Sequence, residues 1–270
     1  MTQFDTQALL DGIRPLARAA GKVIMEIYAQ DFEVEFKGKN NPVTEADVKA
    51  EAVIWPGLEA LTPDIPIIAE EAVAAGNVPD ISGGTFWLVD PLDGTKEFVK
   101  KNDEFTVNIA LIHDRKPVLG VVYAPALDVE YYGAEPGTAM MIEGEGEAKP
   151  ISTRKVDEGG LVLVSSRSHG NSDALKDYFA NRTVAELKIR GSSLKICEVA
   201  CGGADYYPRF GPTCEWDIAA GHAVLQAAGG KVVQPDGSPF LYAKVEDKLL
   251  NGHFICCDMD APVGFPAEAS

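Results

Sequence analysis

The chain has 270 residues, 46% of them hydrophobic, which is enough to bury a full core as one large domain or two closely packed ones and excludes general disorder. Its 24 basic and 41 acidic residues leave a formal charge of -17 with no Lys/Arg run, which argues against a nucleic-acid backbone as the main partner, because that binding depends on phosphate neutralisation. Acidity keeps a cytosolic protein soluble, yet an acidic protein that handles an anion needs local positive charge, and a divalent cation supplies it compactly; composition does not choose between these readings.

Residues 4–28 place Leu9, Leu10, Ile13, Leu16, Ala17, Ala20, Ile24 and Ile27 at helical spacing, so a long amphipathic helix is expected, with Pro15 a candidate kink. Asp5, Asp11 and Arg14 break up any secretory h-region there, and no run is long enough to span a bilayer. The expected location is the cytoplasm, with peripheral attachment at the inner face of the membrane left open. Residues 32–37 alternate like a half-buried strand, and Thr44 is a candidate N-cap for a helix over 44–61. Short apolar runs at 65–69 and 86–89 each end in carboxylates, a recurrent way for strands to build a site.

Residues 105–151 read as an antiparallel meander, with 105–112 and 117–123 joined through 113–116 and an exposed Gly/Glu-rich turn at 143–147. Beyond about residue 155 strand and helix alternate, at 161–165, 172–180, 185–189, 193–200, 204–207, 216–228 and 231–233, which favours α/β layers. The expected organisation is therefore an α+β part over 1–155 and an α/β part over 156–270, forming one compact unit.

The strongest local signal is Trp87-Leu88-Val89-Asp90-Pro91-Leu92-Asp93-Gly94-Thr95-Lys96-Glu97-Phe98. An apolar strand delivers Asp90, Pro91 ends strand hydrogen bonding, and residues 93–95 make a tight turn into a short helix. Hard cations such as Mg²⁺ take oxygen ligands, keep several waters and bridge carboxylates to phosphate, so Asp90, Asp93 and the Leu92 carbonyl suit a metal site. The plain alternative is a turn whose acids only cap and solvate. Three further acidic segments weigh against it: Asn41-Pro42-Val43-Thr44-Glu45-Ala46-Asp47, Ile67-Ile68-Ala69-Glu70-Glu71 and Glu215-Trp216-Asp217-Ile218-Ala219-Ala220-Gly221. Each alone is ordinary, since helix starts favour acids.

In these four segments the chain resembles the inositol monophosphatase superfamily, whose signatures are Asp-Pro-Leu/Ile-Asp-Gly-Thr and Trp-Asp-x-Ala-Ala-Gly. The resemblance covers almost the whole length and implies a layered αβαβα sandwich shared with fructose-1,6-bisphosphatase. It implies two or three Mg²⁺ ions held by Glu70, Asp90, the Leu92 carbonyl, Asp93 and Asp217. Asp47, Glu70 and Thr95 are then the catalytic residues, Thr95 and Asp47 orienting the attacking water. Most metal ligands fall in the 1–155 part, and Li⁺ inhibition is expected.

The variant Asp93 to Phe98, followed by Phe105-Thr106-Val107-Asn108-Ile109-Ala110-Leu111, narrows the resemblance to the bacterial 3′(2′),5′-bisphosphate nucleotidase group. This implies adenosine 3′,5′-bisphosphate as substrate, with 3′-phosphoadenosine 5′-phosphosulfate as a second one. The substrate-binding candidates are Leu92, Asp93, Gly94, Thr95, Ser166, Arg167, Ser193, Lys195, Arg209 and Asp217, with Tyr206 and Tyr207 offering flat surfaces for a base. The three bases recur in Gly/Ser-rich connections; the plain alternative is that they are solvated surface charges.

An inositol phosphatase, or another small-metabolite phosphatase, shares the acidic motifs and remains the rival within the enzyme class. A catalytically silent regulatory homologue would be marked by a missing ligand or a missing Thr95/Asp47 pair, and none is missing. The expected partners are a small phosphorylated nucleotide and, at most, a second copy of the chain. The five cysteines, Cys197, Cys201, Cys214, Cys256 and Cys257, lack disulfide or zinc spacing and read as reduced, mostly buried thiols. Ser165 and Ser166 lie in no triad or elbow motif. His113, His169, His222 and His253 are scattered, and His222 reads as a core residue.

Overall fold

The computed structural model describes residues 4–30, 35–36, 42–156, 159–167 and 173–264. The first helix, α1 (Thr6–Tyr28), begins where Asp5 accepts the Ala8 N–H at 3.1 Å. It continues through Pro15 because Leu9, Leu10 and Ile13 before it and Ala17, Ala20, Ile24 and Ile27 after it are buried on one stripe, so packing holds the helix across the lost hydrogen bond. After β1 (Glu35–Phe36) and β2 (Pro42–Val43), α2 (Glu45–Leu61) starts from the expected Thr44 cap. The expected strand over 32–37 lies mostly outside the described residues, as does His169.

A mixed seven-stranded sheet follows, in the order β3 (Ile67–Ala69), β4 (Thr85–Asp93), β5 (Thr106–His113), β6 (Lys116–Ala124), β7 (Val129–Gly133), β8 (Met140–Glu143) and β9 (Lys149–Pro150). Only the β3–β4 pair is parallel; the remainder is the expected meander. Two short helices, α3 (Glu70–Ala74) and α4 (Thr95–Val99), follow the C-terminal ends of β3 and β4. The β5–β6 connection tightens to Asp114-Arg115, both at positive φ (47° and 63°), a two-residue turn whose twist matches its strands.

The second half contributes β10 (Leu161–Ser165), α5 (Asp173–Tyr178), β11 (Val184–Ile189), α6 (Leu194–Ala200), β12 (Tyr206–Arg209), β13 (Thr213–Cys214), α7 (Glu215–Ala227), β14 (Gly230–Val233), β15 (Leu250–Asn251) and β16 (Phe254–Asp258). Its main sheet runs β11-β10-β12-β16-β14, with β16 antiparallel to both neighbours. Strand β16 lies beyond the alternation read from the sequence. Its run Phe254-Ile255-Cys256-Cys257 has no polar alternation because both faces are covered, as in a central strand.

Three hydrophobic clusters define the layers. Helices α1 and α2 pack on one face of the first sheet through Ile13, Ile24, Ile54, Trp87, Val107 and Ile109. Helices α6 and α7 fill the space between the sheets, where Ile196, Ala220 and Val224 meet Leu88 and Ala110 on one side and Tyr207, Phe254 and Cys256 on the other. Leu175 and Phe179 cover the outer face of the second sheet against Leu163, Tyr206 and Ile255. The result is the αβαβα sandwich that the resemblance implied.

Candidate active site

The key local event is in β4. Asp90 pairs with Asn108 and Asp93 with Thr106, so β4 takes three steps where β5 takes two, with a register shift between them. In a regular strand residues three apart point to opposite faces; one bulged residue returns Asp93 to the face of Asp90. Pro91 brings no N–H to the ladder, and the Leu92 N–H is taken by Asp90 Oδ1 at 3.0 Å. The strand therefore does not stop at Pro91 as expected; it bulges there and resumes at Asp93. Gly94, at φ +91°, turns the chain into α4.

Both aspartates open into a cavity of about 340 Å³ that is also lined by Glu70, Leu92, Gly94, Thr95, Ser166, Ser193, Lys195, Tyr207, Arg209 and Asp217. Glu70 begins α3 directly after β3, and Asp217 occupies the third position of α7, where its Oδ2 accepts the Cys214 N–H at 2.8 Å. Glu215, two residues earlier, is not part of this wall: it accepts the N–H groups of Ala243 (3.0 Å) and Lys244 (2.9 Å).

Asp47 lies behind the cavity. Its Oδ2 accepts from the Thr44 N–H (2.7 Å) and hydroxyl (2.9 Å), and its Oδ1 faces the Thr95 hydroxyl at 3.3 Å. The same hydroxyl lies 3.3 Å from the Leu92 carbonyl.

Four carboxylates thus share a small volume with two cations, Lys195 and Arg209. Burial, followed by repulsion from Glu70, Asp93 and Asp217, drives Asp90 far above the ordinary carboxylate range. Burial likewise pushes Asp93 up to about 6, opposed by Lys195, and Asp217 up to about 7, with Asp93 adding to the shift. Asp47 rises to about 6 through burial, opposed by its Thr44 donors.

Among the described residues no three acidic, His or Cys side chains close on a single point as a preformed cage. The acids ring an open cavity instead. An excess of buried negative charge presented by oxygen donors fits a hard cation that keeps waters and shares its shell with a phosphate.

The basic residues divide. Lys195 is buried within α6 rather than in a connection; its ammonium donates to the Ser192 carbonyl, lies 5.5 Å from the Tyr207 ring centroid, and has its pKa pulled down by burial against the opposing effect of Asp93. Arg209 lines the cavity and donates to the Pro212 carbonyl at 3.0 Å. Arg167 is turned to Glu104 at 2.5 Å and to Glu97 at 3.8 Å.

Of the two tyrosines, only Tyr207 borders the cavity. Tyr206 points to the other face of β12, packs among Phe179 and Ile255, and donates to the Pro262 carbonyl, so it offers no surface to a base. Sequence reasoning missed Glu104, which ties Arg167 to the Gly191 N–H (2.8 Å), and gave no role to Thr106 and Asn108. Those two carried a signal, as polar residues on the strand face that continues as Ala110 and Ile112.

An αβαβα sandwich with carboxylates gathered at strand ends beside the helical layer between its sheets is the architecture of a metal-dependent phosphatase acting on a small phosphorylated substrate. The chain belongs to the inositol monophosphatase family, whose family model matches residues 5–253. The 3′(2′),5′-bisphosphate nucleotidase CysQ of Escherichia coli O157:H7 is 49% identical over 246 residues, covering 90% of this chain and 98% of the relative. The crystal structure of CysQ from Bacteroides thetaiotaomicron superposes with a TM-score of 0.77 at 37% identity, covering 96% of this chain and 99% of that one. An inositol monophosphatase from Anabaena superposes at 0.74 with 28% identity, covering 94% and 92%. Among the described residues no helix is long and apolar enough to cross a membrane.

Proposed function

We propose that the chain is a Mg²⁺-dependent 3′(2′),5′-bisphosphate nucleotidase that removes the 3′-phosphate of adenosine 3′,5′-bisphosphate, and of 3′-phosphoadenosine 5′-phosphosulfate, leaving AMP or adenosine 5′-phosphosulfate. The observation that carries this reading is a ring of carboxylates facing Lys195 and Arg209 across one cavity. Its volume falls in the roughly 300–1,000 Å³ range of small-molecule sites. The relatives named as bisphosphate nucleotidases, matched over nearly their whole length, support it.

Glu70, Asp90, Asp93, Asp217 and the Leu92 carbonyl would hold two or three Mg²⁺ ions. Bound there, the ions would lower the pKa of a water and neutralise charge on the phosphate and its leaving oxygen. The Thr95 hydroxyl accepts a hydrogen bond from the attacking water while donating its own proton to Asp47 Oδ1. Asp47, raised to about 6, is a proton acceptor matched to neutral pH. Glu70 helps to orient the same water. Gly94, Ser166 and Ser193 complete the wall beside the start of α4. Arg167 reaches a substrate only by leaving Glu104. The 1–155 and 156–270 parts act as one unit, a reading supported by α7 packing on the first sheet.

On this reading Lys195 and Arg209 recognise the second phosphate. Lys195→Ala should raise KM for adenosine 3′,5′-bisphosphate by roughly tenfold more than for adenosine 3′-phosphate, the expected size for one charge-assisted contact. Equal effects on both substrates, measured by phosphate release, would remove Lys195 from that role.

A further inference from the structure

Thr106 and Asn108 of β5 and Ser193 at the start of α6 are buried, and their side chains touch one another across the junction of the two halves. Thr106 Oγ1 lies 2.8 Å from Ser193 Oγ, and Ser193 Oγ lies 2.8 Å from Asn108 Oδ1. The amide oxygen can only accept, so the Ser193 proton goes to Asn108. Ser193 Oγ must then accept the Thr106 proton. The direction of the whole chain follows: Thr106 donates to Ser193, and Ser193 donates to Asn108.

This order fixes the Asn108 amide, because with Oδ1 engaged by Ser193 its NH₂ must face the other way. No acceptor closes a hydrogen bond on the buried Nδ2. The side chain nevertheless lies beside the Asp93 carboxylate, as does the Ser193 N–H. The strand register explains the proximity, since Thr106 is the direct partner of Asp93 across the bulge and Asn108 that of Asp90. A buried donor without an acceptor is destabilising, so this polar chain stands on the strand face at a cost in stability.

We propose that Thr106, Ser193 and Asn108 are positioning residues: their one-way hydrogen-bond chain holds the Asn108 amide against Asp93 and thereby sets the orientation of that carboxylate toward the bound cation. The chain also links the start of α6, which carries Lys195, to the acidic wall. Ser193 therefore works inward through its hydroxyl. This inference rests on the reading of Asp93 as a metal ligand.

The test uses the whole protein and Mn²⁺ alone, without substrate, with free Mn²⁺ read by its paramagnetic resonance signal. Thr106→Val, Ser193→Ala and Asn108→Leu should each weaken Mn²⁺ binding by roughly ten- to a hundredfold, the usual cost of removing an outer partner of a ligand. Thr106→Ser, which restores the hydroxyl, should recover it. In turnover assays the same variants should lose kcat with little change in KM. Asp93→Asn is run alongside.

If Asp93→Asn loses Mn²⁺ while the three variants, folded by circular dichroism, bind it as the wild type does, the positioning role is wrong. If Asp93→Asn also binds normally, the ligand reading fails and the inference falls with it. Should Asn108→Leu not fold, Thr106→Val, which deletes a single hydroxyl, decides the matter.

Discussion

Asp93 is where charge, burial and backbone geometry conflict most, and that conflict gives its variants opposite effects on stability and activity. In the absence of metal, its ionised form is disfavoured by burial, which outweighs the opposing effects of Lys195, the Ser193 N–H and Asn108, and Glu97 adds to the cost. Asp93→Asn should therefore raise the melting temperature in the presence of a chelator while lowering kcat with Mg²⁺ by roughly a hundredfold or more. Near-normal turnover would overturn the ligand assignment. His222 makes the converse case of a titratable group used only for packing. Its Nδ1 lies 2.9 Å from the Tyr242 hydroxyl, and burial pushes its pKa down from 6.5 to about 3. The unfolded chain therefore binds this proton first, so the contribution to stability is full above about pH 6.5 and is lost as pH falls toward 3. Relative to His222→Gln, the wild type should lose about 1.4 kcal/mol per pH unit below 6.5, measured by urea unfolding at pH 7, 6 and 5. Parallel pH profiles for the two proteins would contradict this assignment. The core placement of His222 was legible from its apolar neighbours in the sequence, and so was the burial of most of the cysteines, Cys197, Cys256 and Cys257.

Elements were legible to the extent that their periodicity was regular. Helices α1, α2 and α7 and the β5–β6 hairpin matched within a few residues, because amphipathic stripes and turn residues are local signals. The β4 bulge was not legible: Asp-Pro-Leu-Asp-Gly reads locally as a turn, and only the partner strand shows that the ladder resumes at Asp93. Strand β16 and the orientation of Tyr206 failed for a related reason, since which face of a strand is covered is decided by distant segments. Gly94 is the element-scale feature most open to test. At φ +91° a side chain is strained, and a Cβ there would sit 3.2 Å from both the Glu104 carbonyl and Ser192 Cβ. Gly94→Ala should cost about 1–2 kcal/mol in thermal or urea unfolding and reduce kcat by displacing Thr95. An unchanged melting temperature would show that the turn relaxes freely.

At the scale of the whole molecule, the sandwich explains why an enzyme with a formal charge of -17 can handle an anionic substrate. The acids that matter are not spread over its surface; they are delivered by β3, β4 and the start of α7 to one cavity, opposite a basic wall built from α6 and β12. The four acidic segments were visible as separate motifs, but their convergence depends on the second sheet closing over the first, which no local pattern encodes. The most direct test of the account is the initial rate of phosphate release, in Mg²⁺, from adenosine 3′,5′-bisphosphate and from inositol monophosphate. A clear preference in kcat/KM for the nucleotide is expected, with AMP as its product and no turnover once Mg²⁺ is chelated. A preference for inositol monophosphate, or full activity without a divalent cation, would contradict it.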